Sequence, residues 1–489
     1  MTWSDKVIEE TPNFGRPMPT ATDPYRLPEN LILDTDSYKN CHPFLLPEGL
    51  SELEGYIESR GGVYGKTEFA GLQAYLKKYA CRPVERWMIE EHREFSAAHG
   101  IPFPYEGWMH ILKKHGGYLP LEIRAVLEGT VVPTGNILAR LAVTDPEVLW
   151  IKGWFETQTL RAVWYPTTVA TKGYYCKKEI LDALKKSADD PMGELYFKLH
   201  DFGARGVSSR ESAALGGMAH CFNFQGSDTQ VGIQYANHYY NHPMAAFSIP
   251  ATEHSIMTVR GRDGELAQMR LFLETFAKPG AIIACVTDTY DFLYAVENYW
   301  GDELHDMVRN SGATVVIRPD SGDPVEMNVK ALQTLERKIG MKTNSKGYKV
   351  LPSYFRLIQG DGNDDELSLR KVLNGLMDEG YSASNIAFGM GGGLLQQVNR
   401  DTQKFAQKAC RAVLDNEVID VVKDPVTDKG KRSKSGRLDL VFRNGQYQTV
   451  QGDQRDSLLV PVYRNGKLLV DQNLEDIRVR AEAGLGIRD

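Results

Sequence analysis

Hydrophobic and polar positions follow two different rhythms along this chain. Leu121, Ile123, Ala125 and Leu127 alternate with polar or small neighbours, the period of two expected of a strand with one buried face. Residues 131–143 add further strand-like pieces around Gly135. Near the other end, Asn444-Gly445 separates VFR from QYQTV, and Asn465-Gly466 separates PVYR from KLLV. Asn-Gly between such segments predicts two-residue hairpin turns, because both central residues must take positive φ. Both ends are therefore predicted to be strand-rich and to share one sheet-based α+β domain, built from 31–165 and 436–489.

The middle, 166–435, alternates between short apolar strands and amphipathic helices. Candidate strands are 199–203, 221–226, 247–251, IIACVTD, TVVIRPD, YFRLIQGD and NIAFG. Leu369, Val372, Leu373 and Leu376 recur at helical spacing behind Asp364-Asp365-Glu366, an acidic start that suits a helix N-terminus. About seven strand–helix alternations imply a parallel sheet flanked by helices, either a (β/α) barrel or a doubly wound sheet. The barrel is preferred because the count approaches eight. In both, ligands bind at the carboxyl ends of the strands. Residues 1–30, with Pro12, Pro17, Pro19, Pro24 and Pro28, read as a loose arm.

Charge changes this picture in one respect. The chain carries 57 basic and 64 acidic residues in 489, net −7, so it has no overall affinity for nucleic acid and any anion site must be a local cluster. The cysteines (Cys41, Cys81, Cys176, Cys221, Cys285, Cys410) form no C-x-x-C pair, which argues against a zinc knuckle or disulfide scaffold and fits a reducing compartment. No apolar run reaches the ~18 residues of a membrane span, and no secretory signal is visible, so a cytoplasmic location is expected.

Chemistry concentrates at the predicted strand ends. IAFGMGGGLLQ, from Ile386 to Gln396, sets glycines between an apolar strand and a helical start. Backbone N–H groups there would face a phosphate; the alternative is a glycine-rich turn without ligand. IACVTD ends at Asp288, VVIRPD at Asp320 and RLIQGD at Asp361. Arg318 with Asp320 suits a sugar phosphate, the guanidinium taking phosphate oxygens and the carboxylate vicinal hydroxyls, or else the pair staples a turn. Asp291 reads as a helix cap, and Asp288 serves either role. Glu253-His254 follows a strand; a lone histidine is more often structural, unless an aspartate orients its ring. Phe202 is either a core residue or, three residues before Arg205, a flat ring sharing one site with that cation, as an aromatic base bound beside a phosphate would require. The run KDPVTDKGKRSKSGR is either solvated surface or a cover for a polyphosphate.

Together and in this order, TDSYK, LHDFGARGVSS, FQGSDT, PATEHS, DTYD, IRPDSGDP, IQGDG, FGMGGGLLQ and the basic run resemble the nicotinamide phosphoribosyltransferases of the type II phosphoribosyltransferase family. The resemblance covers nearly all of the chain from Leu31. It implies an irregular (β/α) barrel joined to a strand-rich α+β domain, in a homodimer with shared active sites. The implied enzyme is a pentosyltransferase that moves phosphoribosyl from 5-phosphoribosyl-1-pyrophosphate to nicotinamide in NAD salvage. Phe202 would stack on one face of the pyridine ring and Tyr38 of the partner subunit on the other, with Asp228 accepting from the carboxamide and Asp36 close by. Arg205, Arg318, Gly391 and Gly392 would hold phosphate; Asp320, with Asp361 nearby, would hold the ribose. His254 matches a histidine phosphorylated by ATP, with Asp288 orienting it and Glu253 adjacent. Arg60, Arg400, Lys408, Lys423 and Lys431 match positions for pyrophosphate or ATP phosphates, whose oxygens Mg²⁺ would bridge. No residue is assigned to a resident metal. The short segment between Arg60 and Phe69 looks bacterial or phage-like, and Ala204 replaces a bulkier residue beside Phe202.

Three other functions stay open at this level. A nicotinate phosphoribosyltransferase of related fold is the nearest, and Asp228, which would repel a carboxylate, discriminates against it. A non-catalytic signalling or scaffold protein lacks support from the retained polar constellation. A barrel aldolase or isomerase is disfavoured because no strand ends in an obvious Schiff-base lysine.

Overall fold

The computed structural model describes residues 29–427 and 432–487. Nearly all of the expected N-terminal arm, and Lys431, fall outside them. The chain divides into two units, one through Thr168 together with Arg400–Arg480, the other Val169–Asn399 with the residues from Ala481.

The first unit is organised by a seven-stranded antiparallel sheet drawn from both chain ends. Its order is Glu417–Asp420, Phe405–Leu414, Leu50–Ser59, Ile137–Val143, Leu121–Ala125, Val460–Arg464 and Lys467–Leu468. The predicted alternation at 121–125 is real: Leu121, Ile123 and Ala125 are buried while Glu122 and Arg124 are partly exposed. Both Asn-Gly pairs form hairpin turns with positive φ at each residue, 52° and 76° at Asn444-Gly445 and 48° and 85° at Asn465-Gly466. A third turn, Asp415-Asn416, has the same backbone at φ 51° and 65° but lacks the glycine that would have announced it. Trp108, Trp150 and Trp154 pack edge to face beneath this sheet, their centroids 5.0–5.3 Å apart.

In the second unit six parallel strands lie in the order Gly226–Ser227, Leu199–Asp201, Ile386–Met390, Phe355–Gln359, Thr314–Arg318 and Ile282–Val286. Segment 247–251 touches both edges: Phe247 bridges Gly226, and Ala251 bridges Ala284. The sheet therefore curls into a barrel closed by an irregular stave. This corrects two expectations. The strand predicted at 221–226 shrinks to two residues because 221–223 turn out of the preceding helix, and 247–251 makes only isolated bridges. The barrel also ends near Asn399, not 435, because Phe405–Leu414 pairs with Leu50–Ser59 of the other sheet.

Strand alternation sets what the barrel encloses. Ala284, Val316 and Ile358 pack on one another with Ala387, Ile249 and Phe202, and so face inward. Their sequence neighbours Ile283, Val315, Ile317 and Leu357 are fully buried on the opposite face, beneath the helices. Carried two residues onward, the inward face reaches Arg318 after Val316, Gly360 after Ile358 and Gly389 after Ala387. The helices are fixed by local signals. Glu366–Asp378 begins with a capping box in which Asp365 accepts from the Ser368 N–H, and it buries Leu369, Val372, Leu373 and Leu376 as predicted. Asp291 caps its helix through the Tyr294 N–H at 3.0 Å, also as predicted.

Candidate active site

At the carboxyl ends of the barrel strands lies a cavity of about 420 Å³. Phe202, Arg205, Asp228, Arg318, Asp320, Asp361, Gly391 and Gly392, distant in sequence, all line it. The glycines there do different work. A β-carbon on Gly389 would lie 2.0 Å from the Phe202 ring, and one on Gly393 would lie 2.7 Å from the Asp364 Cα, so packing requires both glycines. A β-carbon on Gly392 would meet no protein atom, and one on Gly391 only the Phe202 carbonyl at 3.7 Å. Those two face open space, as a backbone approached by a ligand must. The short helical turn Gly392–Leu395 follows, and the N–H groups of a first helical turn have no carbonyl four residues back.

Arg318 and Asp320 are 3.5 Å apart at Nη2 and Oδ2, and the buried Arg318 Nε has no partner. A turn staple would leave no such donor over; an anion in the cavity would use it. Burial pushes the Asp320 carboxyl above its ordinary value, with Asp288 and Asp361 adding to the shift and Arg318 and His254 opposing it. Gly360 gives this pair its room, since a β-carbon there would lie 2.1 Å from Asp320 Oδ1. Asp228 accepts from the Ser248 hydroxyl, and its own N–H donates to the Asp201 carbonyl at 2.9 Å. Asp201 is fully buried, and burial pushes its carboxyl up to about 6.

Beside the cavity, His254 Nε2 and Asp288 Oδ1 are 2.9 Å apart, while His254 Nδ1 lies 3.9 Å from Asp320 Oδ2. Asp288 Oδ2 accepts from the Asp320 N–H at 3.1 Å, which fixes the carboxylate. With Nε2 protonated toward Asp288, the Nδ1 lone pair is left as the nucleophilic position. The orienting aspartate that sequence required of a functional histidine is thus present. Glu253 is exposed and accepts from the Ser255 hydroxyl.

Sequence reasoning missed three supports. Lys172, buried in the long Glu156–Ser187 helix, donates from Nζ to the Gly393 carbonyl at 2.6 Å. Asn363 donates to the carbonyls of Gln359 and Gly389, tying two strand ends together. Asp201 is the third. Asn363 adjoins the IQGDG motif and was legible there; a lysine in a helix more than 200 residues from its partner carries no local signal.

The remaining residues belong to the first unit. Arg60, Arg400, Lys408 and Lys423 line a cavity of about 600 Å³ with Lys404, opposed by Glu156 and Asp401. The buried Arg60 Nη2 has no partner, and burial with the neighbouring cations Arg60, Lys423 and Arg400 lowers the Lys408 ammonium, against Glu156. Asp36 accepts from Thr157 Oγ1 at 2.5 Å, and Tyr38 is 61% exposed. The basic run divides: Lys423 lines this cavity, whereas Lys434 pairs with Glu58 and Arg437 with Glu52 and Glu54 across the sheet.

Residues 197–467 match the nicotinate phosphoribosyltransferase (NAPRTase) family, and residues 30–123 the N-terminal domain of nicotinamide phosphoribosyltransferase. The chain is 49% identical to the nicotinamide phosphoribosyltransferase of Xanthomonas campestris pv. campestris, over 93% of this chain and 98% of the relative. It is 32% identical to the nicotinamide phosphoribosyltransferase of Acinetobacter baylyi, over 91% and 95%. Its fold resembles a nicotinate-nucleotide pyrophosphorylase from Pyrococcus furiosus, with a TM-score of 0.61 at 15% identity over 95% and 98% of the two chains. Human nicotinic acid phosphoribosyltransferase gives 0.53 at 16% identity, over 93% and 94%. The chain therefore belongs to the nicotinate phosphoribosyltransferase family of pentosyltransferases and carries, over residues 30–123, an N-terminal domain of the nicotinamide phosphoribosyltransferase type.

Proposed function

We propose that this enzyme transfers phosphoribosyl from 5-phosphoribosyl-1-pyrophosphate to nicotinamide, giving nicotinamide mononucleotide and pyrophosphate. The observation that carries the reading is the meeting of Phe202, Asp228, Arg318, Asp320 and the open 391–392 backbone around one cavity. The pyridine ring lies against Phe202, and Asp228 accepts from the carboxamide while repelling the carboxylate of nicotinate. Arg205, the unpartnered Arg318 Nε and the Gly391 and Gly392 backbone take phosphate oxygens, and Asp320 and Asp361 the ribose hydroxyls. The ring nitrogen's lone pair forms the bond to C1 as the C1–oxygen bond breaks and pyrophosphate leaves with the electron pair. No base is required; catalysis rests on positioning and on charge stabilisation of the leaving group.

The crowded carboxylates Asp320 and Asp361, one of them raised by burial and by its acidic neighbours, are the residues that would hold Mg²⁺ if it enters with the pyrophosphorylated sugar whose ribose they bind. Bound there, the ion would supply positive charge to the departing pyrophosphate. ATP is a second substrate: His254 Nδ1 attacks the γ-phosphorus, ADP leaves, and water later cleaves the phosphohistidine. Asp288 orients the ring and stabilises its charge. The cation-lined cavity of the first unit takes pyrophosphate or ATP phosphates, and Tyr38 serves the site of a partner subunit in a homodimer. Six free cysteines suit a cytoplasmic enzyme, and among the described residues no helix is long and apolar enough to cross a membrane.

A product assay with nicotinamide, nicotinate and the pyrophosphorylated sugar tests the reading. Nicotinamide mononucleotide is the expected product; a preference for nicotinate would overturn it. Mixing Tyr38→Ala with Arg318→Ala subunits should restore activity, and absence of recovery would remove the shared-site dimer.

A further inference from the structure

A second cluster of chemistry-bearing side chains stands in the first unit and plays no part in the reaction above. His110 and His115 occupy the second half of the Tyr105–His115 helix, and Asp145 precedes the short Pro146–Val148 turn. Both imidazoles converge on one oxygen: His110 Nε2 is 2.8 Å and His115 Nε2 2.6 Å from Asp145 Oδ2. The other carboxylate oxygen, Oδ1, accepts from the Glu147 N–H at 3.1 Å and so fixes the group. The Asp145 side chain is 2% exposed, while His110 and His115 are 30% and 19% exposed. The cluster is thus anchored on its acidic side and open to water on the other.

We propose that His110, His115 and Asp145 form a binding site for one divalent transition-metal ion of the zinc type. Two neutral imidazoles and a carboxylate are a ligand set that zinc takes, with water completing the tetrahedron. All three donor atoms lie within 4.8 Å of one another. Metal–ligand bonds of about 2.0–2.2 Å separate tetrahedral ligands by roughly 3.4 Å, so the two nitrogen–oxygen contacts must open by about 0.6–0.8 Å. Small rotations of two partly exposed imidazoles supply that. The Glu147 N–H on Oδ1 then acts as the outer-shell support that ligating carboxylates usually have. The ion ties the end of one helix to the segment that follows the Ile137–Val143 strand. Lys114 competes for the site: its ammonium is 3.0 Å from the same Oδ2, but its side chain is 54% exposed and free to swing into solvent. The spacing, five residues and then thirty, matches no metal motif, which is why sequence alone assigns none.

Cobalt titration of the full-length, chelator-treated protein, with zinc competition and elemental analysis, decides the matter. One ion per chain is expected, with a tetrahedral visible spectrum and no near-ultraviolet thiolate band of the kind the free cysteines would give. His110→Gln and His115→Gln keep an amide donor for Asp145 and therefore the fold, checked by circular dichroism, yet should weaken binding more than about a hundredfold. Lys114→Met should tighten it, and zinc should raise the thermal midpoint of the wild type but not of the glutamine variants. Unchanged binding in those variants, a thiolate band, or no binding of cobalt or zinc in the wild type would each overturn the proposal.

Discussion

A β-carbon on Gly389 would lie 2.0 Å from Cε2 of Phe202. The aromatic platform of the cavity thus exists because the next strand has no side chain at the facing position. Gly389→Ala must push the ring out of its place, so the KM for the heterocycle should rise at least about tenfold while the KM for the sugar substrate changes less. Steady-state kinetics with each substrate varied in turn checks this; equal effects on both would mean a general disruption.

Asp228 lines the same cavity. On the proposed reading, Asp228→Ser removes both the discrimination against nicotinate and one acceptor for the amide. The ratio of kcat/KM for nicotinamide over nicotinate should fall by about tenfold or more, roughly 1.4 kcal/mol of discrimination. An unaltered ratio would take Asp228 out of ring recognition.

The proposed phosphorylation of His254 rests on its 2.9 Å contact with Asp288, which orients the ring. His254→Ala should abolish stimulation by ATP and any acid-labile phosphoenzyme. Basal transfer should persist within about an order of magnitude, since the transfer step uses no histidine. Radiolabelled ATP and product measurement with and without ATP separate these effects.

Lys172 donates to the Gly393 carbonyl and lies fully behind the glycine backbone that faces the cavity. Burial lowers its ammonium, so the charge is held at a cost. Lys172→Met keeps the volume and should leave the thermal midpoint nearly unchanged. The KM for the phosphorylated sugar should rise about tenfold, with kcat less affected. A fall in kcat alone would argue against a positioning role.

Asp201 gives a pH prediction with a definite sign. Its carboxyl is pushed up to about 6 by burial, against an ordinary value of 3.8. Between these values the native state keeps a proton that the unfolded chain has released, so stability falls as pH rises through that window and stays lower above it. Asp201→Asn, which retains an acceptor for the Gly203 N–H, should remove this slope and gain up to about 2–3 kcal/mol at neutral pH. Denaturant unfolding at pH 4, 5, 6 and 7 reads the difference.

The sequence by itself determined whatever is local. Asn444-Gly445 and Asn465-Gly466 formed their hairpins because type I′ geometry is a property of two residues, and Asp291 and the Asp365 start capped their helices for the same reason. The strand-end residues that line the cavity were legible because polar side chains and glycines directly follow short apolar strands, at the carboxyl ends where ligands bind in parallel α/β folds. Only the tertiary structure decided what depends on closure. The bridges of 247–251 to Gly226 and Ala284, the end of the barrel near Asn399, the donation of Lys172 to Gly393 and the meeting of His110, His115 and Asp145 join residues tens to hundreds of positions apart. No local propensity encodes such contacts; they form when burial of apolar surface brings distant segments together and leaves each buried polar group to find its partner there.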